Sequence, residues 1–329
     1  MQAVHSNTNA TNAIPTIQSS AAPRAASLRT ETVPTTSQLR PIQSSAPKLP
    51  TPINIERLAY HLTGYPKDLY NYLITGFSKG FKIYFHGTVG SNFSNNLSSA
   101  SELPLVIEHK LAKEIDMGRI KGPFDSPPLD NFWVSPIGVV PKKAANEFRK
   151  IQHPSFPFGN SINDHIPKEF SSVQYASVDD AIRIIKSLGR GCAMAKCDVR
   201  SAFRIIPLHP DEYHLFGIHW NGKYYYDLAL PMGCASSCKI FESFSTALEW
   251  IGRQKLGITH IIHILDDFLI IAQSLSSCNA ALNQFLALCT DIGVPMAEEK
   301  TEGPAHILTF AGIELDCHKG EARLPQEKN

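Results

Sequence analysis

The sequence predicts an α+β fold: an antiparallel sheet with helices packed on one face. Three observations carry this. Two segments in succession have the form of β-hairpins, one turning at Asn221-Gly222 and one at the doublet Asp266-Asp267. Several segments place apolar residues at helical spacing, among them Ser177 to Gly189. Runs of strands broken by a few helices, with no internal repeat, favour a layered α+β arrangement over strict βαβ alternation.

The chain has 329 residues, 43% hydrophobic and 19% charged, enough for a sizeable core. Its apolar stretches fall short of the ~20 residues of a spanning helix, and the N-terminus lacks a basic and then apolar signal pattern. The expectation is an intracellular protein of cytoplasm or nucleus, with no membrane partner. Seven cysteines contain no C-x-x-C pair, which argues against a disulfide framework or a zinc ribbon. The net charge of +1 excludes no partner class, because nucleic acids are bound by local clusters. One such cluster is Arg183, Lys186, Arg190, Lys196, Arg200 and Arg204, with Asp198 the single acid among residues 181–210. On charge alone it reads equally well as a solvated face.

In chain order, residues 1–52 are rich in Ser, Thr, Ala, Pro, Asn and Gln, and their composition predicts a disordered, low-complexity tail. Residues 53–100 bring in aromatics without a clear period, so their structure is uncertain. SELPLVIEHKLAKEIDMGRI predicts one helix ending near Gly118, and GPFDSPPLDN an extended stretch. WVSPIGVVPKK and EFRKIQ form a hairpin turning at Ala144 to Asn146. From 177 to 189, Ser177 can cap a helix with Asp180 three residues on, and Val178, Ala181, Ile182, Ile185 and Leu188 share one face. CAMAKCDV, RIIPL, HLFGIHW and KYYYDL follow as strands. Residues 240–251 return to helical spacing, and Leu282, Phe285, Leu286 and Cys289 line a helix that stops at Gly293.

Chemistry enters at HIIHILDDFLIIA, residues 260–272. Adjacent carboxylates inside an apolar run are costly unless a cation or donors compensate them. A hairpin tip in water would suffice. Alternatively Asp198, ending the CAMAKCDV strand, lies beside the tip, and three carboxylates then form a site for hard divalent cations.

A set of ordered blocks favours the second reading. AKCDVRSAFRIIPL, LPMGCASSCKIFE and ILDDFLII resemble the three palm motifs of reverse transcriptases. The upstream GRIKGPFDSPP, VSPIGVVPKK and FRKIQHPSFPFGNSINDHIP, and the downstream GVPMAEEKTEGPAHILTFAGIELD, are similar to the polymerases of DIRS-like, tyrosine-recombinase retrotransposons.

The resemblance implies a right-hand polymerase: residues 101–329 as fingers and palm, with the thumb largely missing. It implies RNA-directed DNA synthesis on an RNA or DNA template-primer from dNTPs, with two Mg²⁺ ions that Mn²⁺ can replace. Asp198, Asp266 and Asp267 match the catalytic, metal-binding acids, and Val199 would lend a backbone carbonyl. Phe203 matches the aromatic gate against the sugar 2′-OH, and Lys142 and Arg149 the grip on the triphosphate. Leu230, Pro231, Met232 and Gly233 match the loop under the nascent base pair, and Lys300 a proton donor to pyrophosphate. Phe310, Gly312 and Ile313 resemble the primer-grip hairpin. Two positions depart from the pattern: Ile264 stands where Tyr or Phe is usual before x-Asp-Asp, and Cys238 where many relatives have Pro. The competing expectation is a truncated, non-catalytic palm remnant that binds nucleic acid through the basic cluster. Another metal-dependent phosphotransferase is disfavoured by the block order and the lack of a Walker A lysine loop.

Overall fold

Among the described residues, the strands divide among four sheets. The computed structural model describes residues 48–88, 90–142 and 147–325. Most of the expected tail and the expected turn at Ala144 to Asn146 lie outside the described residues. In chain order the elements are α1 (Ile55–His61), α2 (Lys67–Lys79), β1 (Asn92–Phe93), α3 (Ser98–Glu102), α4 (Pro104–Asp116), β2 (Ile120–Phe124), β3 (Trp133–Val134), β4 (Ile137–Pro141) and β5 (Phe148–Gln152). Then come α5 (Val178–Leu188), β6 (Ala193–Asp198), β7 (Gly217–Trp220), β8 (Lys223–Asp227), α6 (Ser237–Lys255), β9 (Ile261–Ile264), β10 (Asp267–Ala272) and α7 (Leu275–Ile292). Strands β11 (Glu302–Ala305), β12 (Ile307–Phe310), β13 (Ile313–Asp316) and β14 (Glu321–Arg323) close the list.

The central sheet is antiparallel in the order β11-β6-β10-β9. Its pleat sorts side chains by parity. Ala193, Ala195, Cys197, Ile261, Phe268 and Ile270 face α6 and α7, whose Phe241, Phe244 and Phe285 are fully buried with them. Met194, Ile262, Leu269 and Ile271 face the other way, onto Ala181 and Ile185 of α5 and onto Leu308, Phe310 and Leu315 of the β12-β13-β14 sheet. Helices on one face therefore describes α6 and α7, while α5 and a small sheet cover the opposite face. Burial on both faces explains why residues 260–272 read as a nearly continuous apolar run. Each large apolar side chain buried there contributes about 1.5–3 kcal/mol, so an acid in this sheet needs a local reason.

The capped helix forms as expected: Ser177 and Asp180 make a reciprocal capping box on α5. Other expectations are corrected. The predicted helix from 101 is two helices, because Pro104 begins α4 and Leu103 before it leaves helical geometry. RIIPL is not a strand: Ala202–Ile205 form a 3-10 turn entered through Ser201 at φ 59°. The first half of HLFGIHW lies in a second 3-10 segment, Pro210–Phe216. WV and IGVVP belong to different sheets, and so do the hairpins β7-β8 and β9-β10. A turn pairs neighbouring strands, but it does not say which sheet the pair joins.

The segment of uncertain structure becomes α1 and α2, whose Leu58, Leu73 and Phe77 enter the same core as α6 and α7. Phe77 meets Phe244 edge to face at 4.9 Å. Residues 51 and 52 are docked, against the expectation of a tail running to 52. Thr51 Oγ1 donates to the Ile205 carbonyl at 2.8 Å, and the Pro52 carbonyl lies where a side chain on Gly293 would be. Among the described residues, no helix is long and apolar enough to cross a membrane.

Candidate active site

Hairpin β9-β10 turns at Leu265-Asp266, one residue earlier than the Asp-Asp tip expected, with Leu265 at φ 53°. Asp267 is consequently the first residue of β10, and its register partner on β6 is Asp198. The Val199 amide donates to the Asp266 carbonyl at 3.0 Å. Antiparallel ladders alternate, so Asp198 and Asp267 occupy the neighbouring non-hydrogen-bonded position, where Cα atoms come within about 4.5 Å and facing side chains are closest.

Two carboxylates are thus pressed together, with a third at the tip. Burial, then the charges of Asp266 and Asp198, push the Asp267 carboxyl up to about 6. Burial, then Asp198, also raises Asp266. Asp198 is 5% exposed, and Lys300 compensates it: the Nζ lies 2.9 and 2.8 Å from its two carboxylate oxygens. Burial opposes the charge on Lys300, yet its bond to Asp198 and the three acids together hold it above the ordinary lysine range.

The backbone fixes these partners. Arg200 N donates to the Pro295 carbonyl at 2.8 Å, Val199 bridges Met296, and Ala297 N donates to the Asp198 carbonyl at 2.8 Å. Lys300 then ends the 3-10 turn Glu298–Lys300, which the Arg200–Glu299 ion pair at 2.6 Å ties back to β6. Val199, whose carbonyl the resemblance makes a cation ligand, is 1% exposed between the Asp266 and Met296 segments.

A cavity of about 180 Å³ brings Lys142, Arg149 and Met232 together, with Pro231, Lys150, Gln152, Ser201 and Arg204 among its other walls. Lys142 pairs with Glu147 at 2.8 Å across the ends of β4 and β5. The Arg149 charge acts on Asp266, so the basic hairpin and the acids share one field. Phe203 is not part of this wall. Its ring packs edge to face on Phe241 of α6 at 5.7 Å, and its neighbours Ser201 and Arg204 line the cavity instead.

Gly233 sits at φ 105°, and a Cβ there would come within 2.6 Å of the Gln152 carbonyl, so this loop closes against β5 because it carries glycine. Residues 310–313 do form a hairpin, β12-β13, turning at Ala311-Gly312. Phe310 is 1% exposed and packs into the sheet, leaving Gly312 and Ile313 nearer its surface. The basic cluster is largely neutralised: Arg183 pairs with Asp180, Lys196 with Glu302, Arg200 with Glu299, and Arg204 with Glu114 and Asp227.

Two residues bearing on the cavity were not singled out by sequence. Asn163 spans the floor loop, donating to the Gly233 carbonyl at 2.8 Å and accepting from Ala235 N at 2.8 Å. Arg204 was counted as one cation in a cluster. Its partners lie 23 to 90 positions away in the chain, a range that local periodicity does not reach.

The donor set suits a hard divalent cation, which takes oxygen ligands: Asp198 and Asp267 face each other, Asp266 lies within range of their charges, and the Lys300 ammonium balances them. Among the described residues no three His, Cys, Asp or Glu side chains form a ready-made cation cage. In this conformation Lys300 holds both oxygens of Asp198.

The family model described as reverse transcriptase (RNA-dependent DNA polymerase) matches residues 140–315. The Gag-Pol polyprotein of avian reticuloendotheliosis virus is 21% identical over 237 residues, which is 69% of this chain and 19% of that protein. The Gag-Pro-Pol polyprotein of squirrel monkey retrovirus is 22% identical over 231 residues, 64% of this chain and 11% of the polyprotein. Among solved structures, the foamy viral protease-reverse transcriptase in complex with dsDNA superposes with a TM-score of 0.59 at 15% identity, covering 84% of this chain and 57% of that one. The same enzyme in complex with an RNA/DNA hybrid gives 0.59 at 16% identity, covering 84% and 37%. The chain spans less than a fifth of these curated polyproteins.

Proposed function

Because the chain belongs to the reverse transcriptase family, we propose that it is the fingers and palm of an RNA-directed DNA polymerase that adds nucleotides to a primer 3′-OH. The observation that carries this is the facing of Asp198 and Asp267 across β6 and β10, with Asp266 at the adjoining tip. Asp198, Asp266 and Asp267, with the Val199 carbonyl, would hold two Mg²⁺ ions, or Mn²⁺ in their place. When bound, such ions supply charge stabilisation at the attacking and leaving oxygens of an in-line phosphoryl displacement.

The protein's own groups do the rest. Lys142 and Arg149 grip the dNTP triphosphate, Arg by its planar fork and Lys as a mobile charge. Met232 and Gly233 form the floor beneath the new base pair, and Phe203, packed on Phe241 just outside the cavity wall, would close on the sugar 2′ position. Lys300, released from Asp198, gives a proton to departing pyrophosphate. The β12-β13 hairpin, with Gly312 in its turn and the buried Phe310 facing Ile313 beside it, positions the primer. The template-primer is RNA or DNA, in keeping with the dsDNA and RNA/DNA hybrid held by the foamy viral enzymes. The upstream and downstream blocks quoted above support an origin in a DIRS-like retrotransposon, and an intracellular site of action fits that origin.

Primer extension with the purified chain, Mg²⁺ and dNTPs on RNA and DNA templates tests this. Incorporation by the wild type, lost in Asp266→Asn, is expected. Incorporation that survives the substitution overturns the catalytic assignment, and none in either protein favours a nucleic-acid-binding remnant.

A further inference from the structure

We propose that Arg204 is a positioning residue for nucleotide selection, setting the spacing between the turn that carries Phe203 and the loop that carries Met232. The inference rests on the polymerase reading and adds to it a residue with no assigned part in it.

Arg204 follows Phe203 directly in the 3-10 turn Ala202–Ile205, and its side chain is 12% exposed. A guanidinium has five N–H donors in a fixed plane, and here five acceptors surround it. Nε donates to Glu114 Oε2 at 2.9 Å, and Nη2 to Asp227 Oδ1 at 2.5 Å and to the Arg119 carbonyl at 3.4 Å. Nη1 donates to the carbonyls of Ala229 and Leu230 at 3.0 and 3.2 Å. One side chain thus joins α4, the end of β8 and the entry to the Leu230–Gly233 loop, starting from the residue beside the gate. The main chain runs alongside this connection, where Leu230 N donates to the Ile206 carbonyl at 3.0 Å and Leu208 N to the Leu228 carbonyl at 2.9 Å.

This geometry makes the two walls of the cavity one rigid piece. Arg204 itself lines the cavity, with Ser201 and Pro231. Stability alone is a weak reason for such a network, because buried ion pairs often do no better than an apolar replacement of similar volume. What a five-way planar contact supplies is a fixed distance and angle. Discrimination against a single additional hydroxyl depends on sub-ångström placement of the aromatic that excludes it. Lysine keeps the charge but has neither the fork nor the reach to five acceptors.

The test is single-nucleotide incorporation by the full chain on one primer-template, giving kcat and KM for a dNTP and for its matched rNTP. The variants are Arg204→Lys and Glu114→Gln. We expect Arg204→Lys to lower the dNTP-to-rNTP ratio of kcat/KM by about tenfold, with dNTP KM rising more than kcat falls. Glu114→Gln, which leaves four of the five contacts, should lie in between. A purely structural role would depress both substrates alike. An unchanged ratio in both variants, alongside an active wild type, overturns the proposal and leaves the polymerase reading standing. If thermal melting shows that Arg204→Lys does not fold, the Glu114→Gln ratio decides. Wild type that incorporates neither nucleotide overturns both.

Discussion

Lys300 holds Asp198 through both carboxylate oxygens, at 2.9 and 2.8 Å. The ammonium and a divalent cation would compete for those atoms, so removing the ammonium leaves the acids more negative and more open. Lys300→Met is expected to tighten Mn²⁺ binding about three- to tenfold, read by electron paramagnetic resonance titration without substrate. Weaker or equal binding would show that Lys300 is not a competitor.

Asp267 faces Asp198 and is pushed up to about 6 by burial and by its acidic neighbours. Asp267→Asn removes that repulsion. The melting temperature should rise by about 2–3 °C, corresponding to about 1 kcal/mol in a domain of this size, while nucleotide incorporation drops by about a thousandfold or more. A variant less stable than the wild type would contradict the electrostatic account of the pair.

Gly233 allows the floor loop to approach β5, with a left-handed backbone and the Gln152 carbonyl 2.6 Å from any Cβ. Gly233→Ala should cost about 1–3 kcal/mol of stability and raise the KM for nucleotide. Denaturant unfolding and steady-state kinetics check the two effects separately.

His263 lies on the α6 side of β9, with Nδ1 2.6 Å from Glu249 Oε2 and Nε2 3.1 Å from Glu242 Oε1. Burial works against its protonation, but its contacts with the two glutamates prevail and raise it to about 9. Arg253, paired with Glu249 at 2.9 Å, is the other charge in contact with this group. A folded value above the unfolded one means that the stabilisation is complete below pH ~6.5 and is lost as pH rises through about 9. The expected loss is on the order of 3 kcal/mol. Urea unfolding at intervals from pH 6 to 9.5 should trace it, and His263→Gln should flatten the curve.

Much of the fold was legible because its signals are local. The capping box of Ser177 and Asp180, the Asn221-Gly222 turn and the stop at Gly293 each act within a few residues. Sheet membership was not legible, since strands β6, β10 and β11 are joined by contacts between residues 69 to 111 positions apart. The strand order led to the expectation that Asp198 lies beside the Asp-Asp tip; its register against Asp267 was not legible, because the tip falls at Leu265-Asp266. Arg204 and Asn163 escaped notice for a related reason. A buried arginine and a surface arginine are the same letter, and the acids that separate them in kind arrive from distant helices and strands.

The end of β6 is clasped from both edges: the Asp266 carbonyl accepts from Val199 on one side, and Ala297 N reaches the Asp198 carbonyl on the other. Main-chain drift is thereby blocked at the residue that, on the proposed reading, would exchange an ammonium for a metal. Were a cation to load there, the adjustment would fall to χ rotations of Asp198 and Lys300 rather than to the backbone, so the anvil would already be cast before a nucleotide arrived.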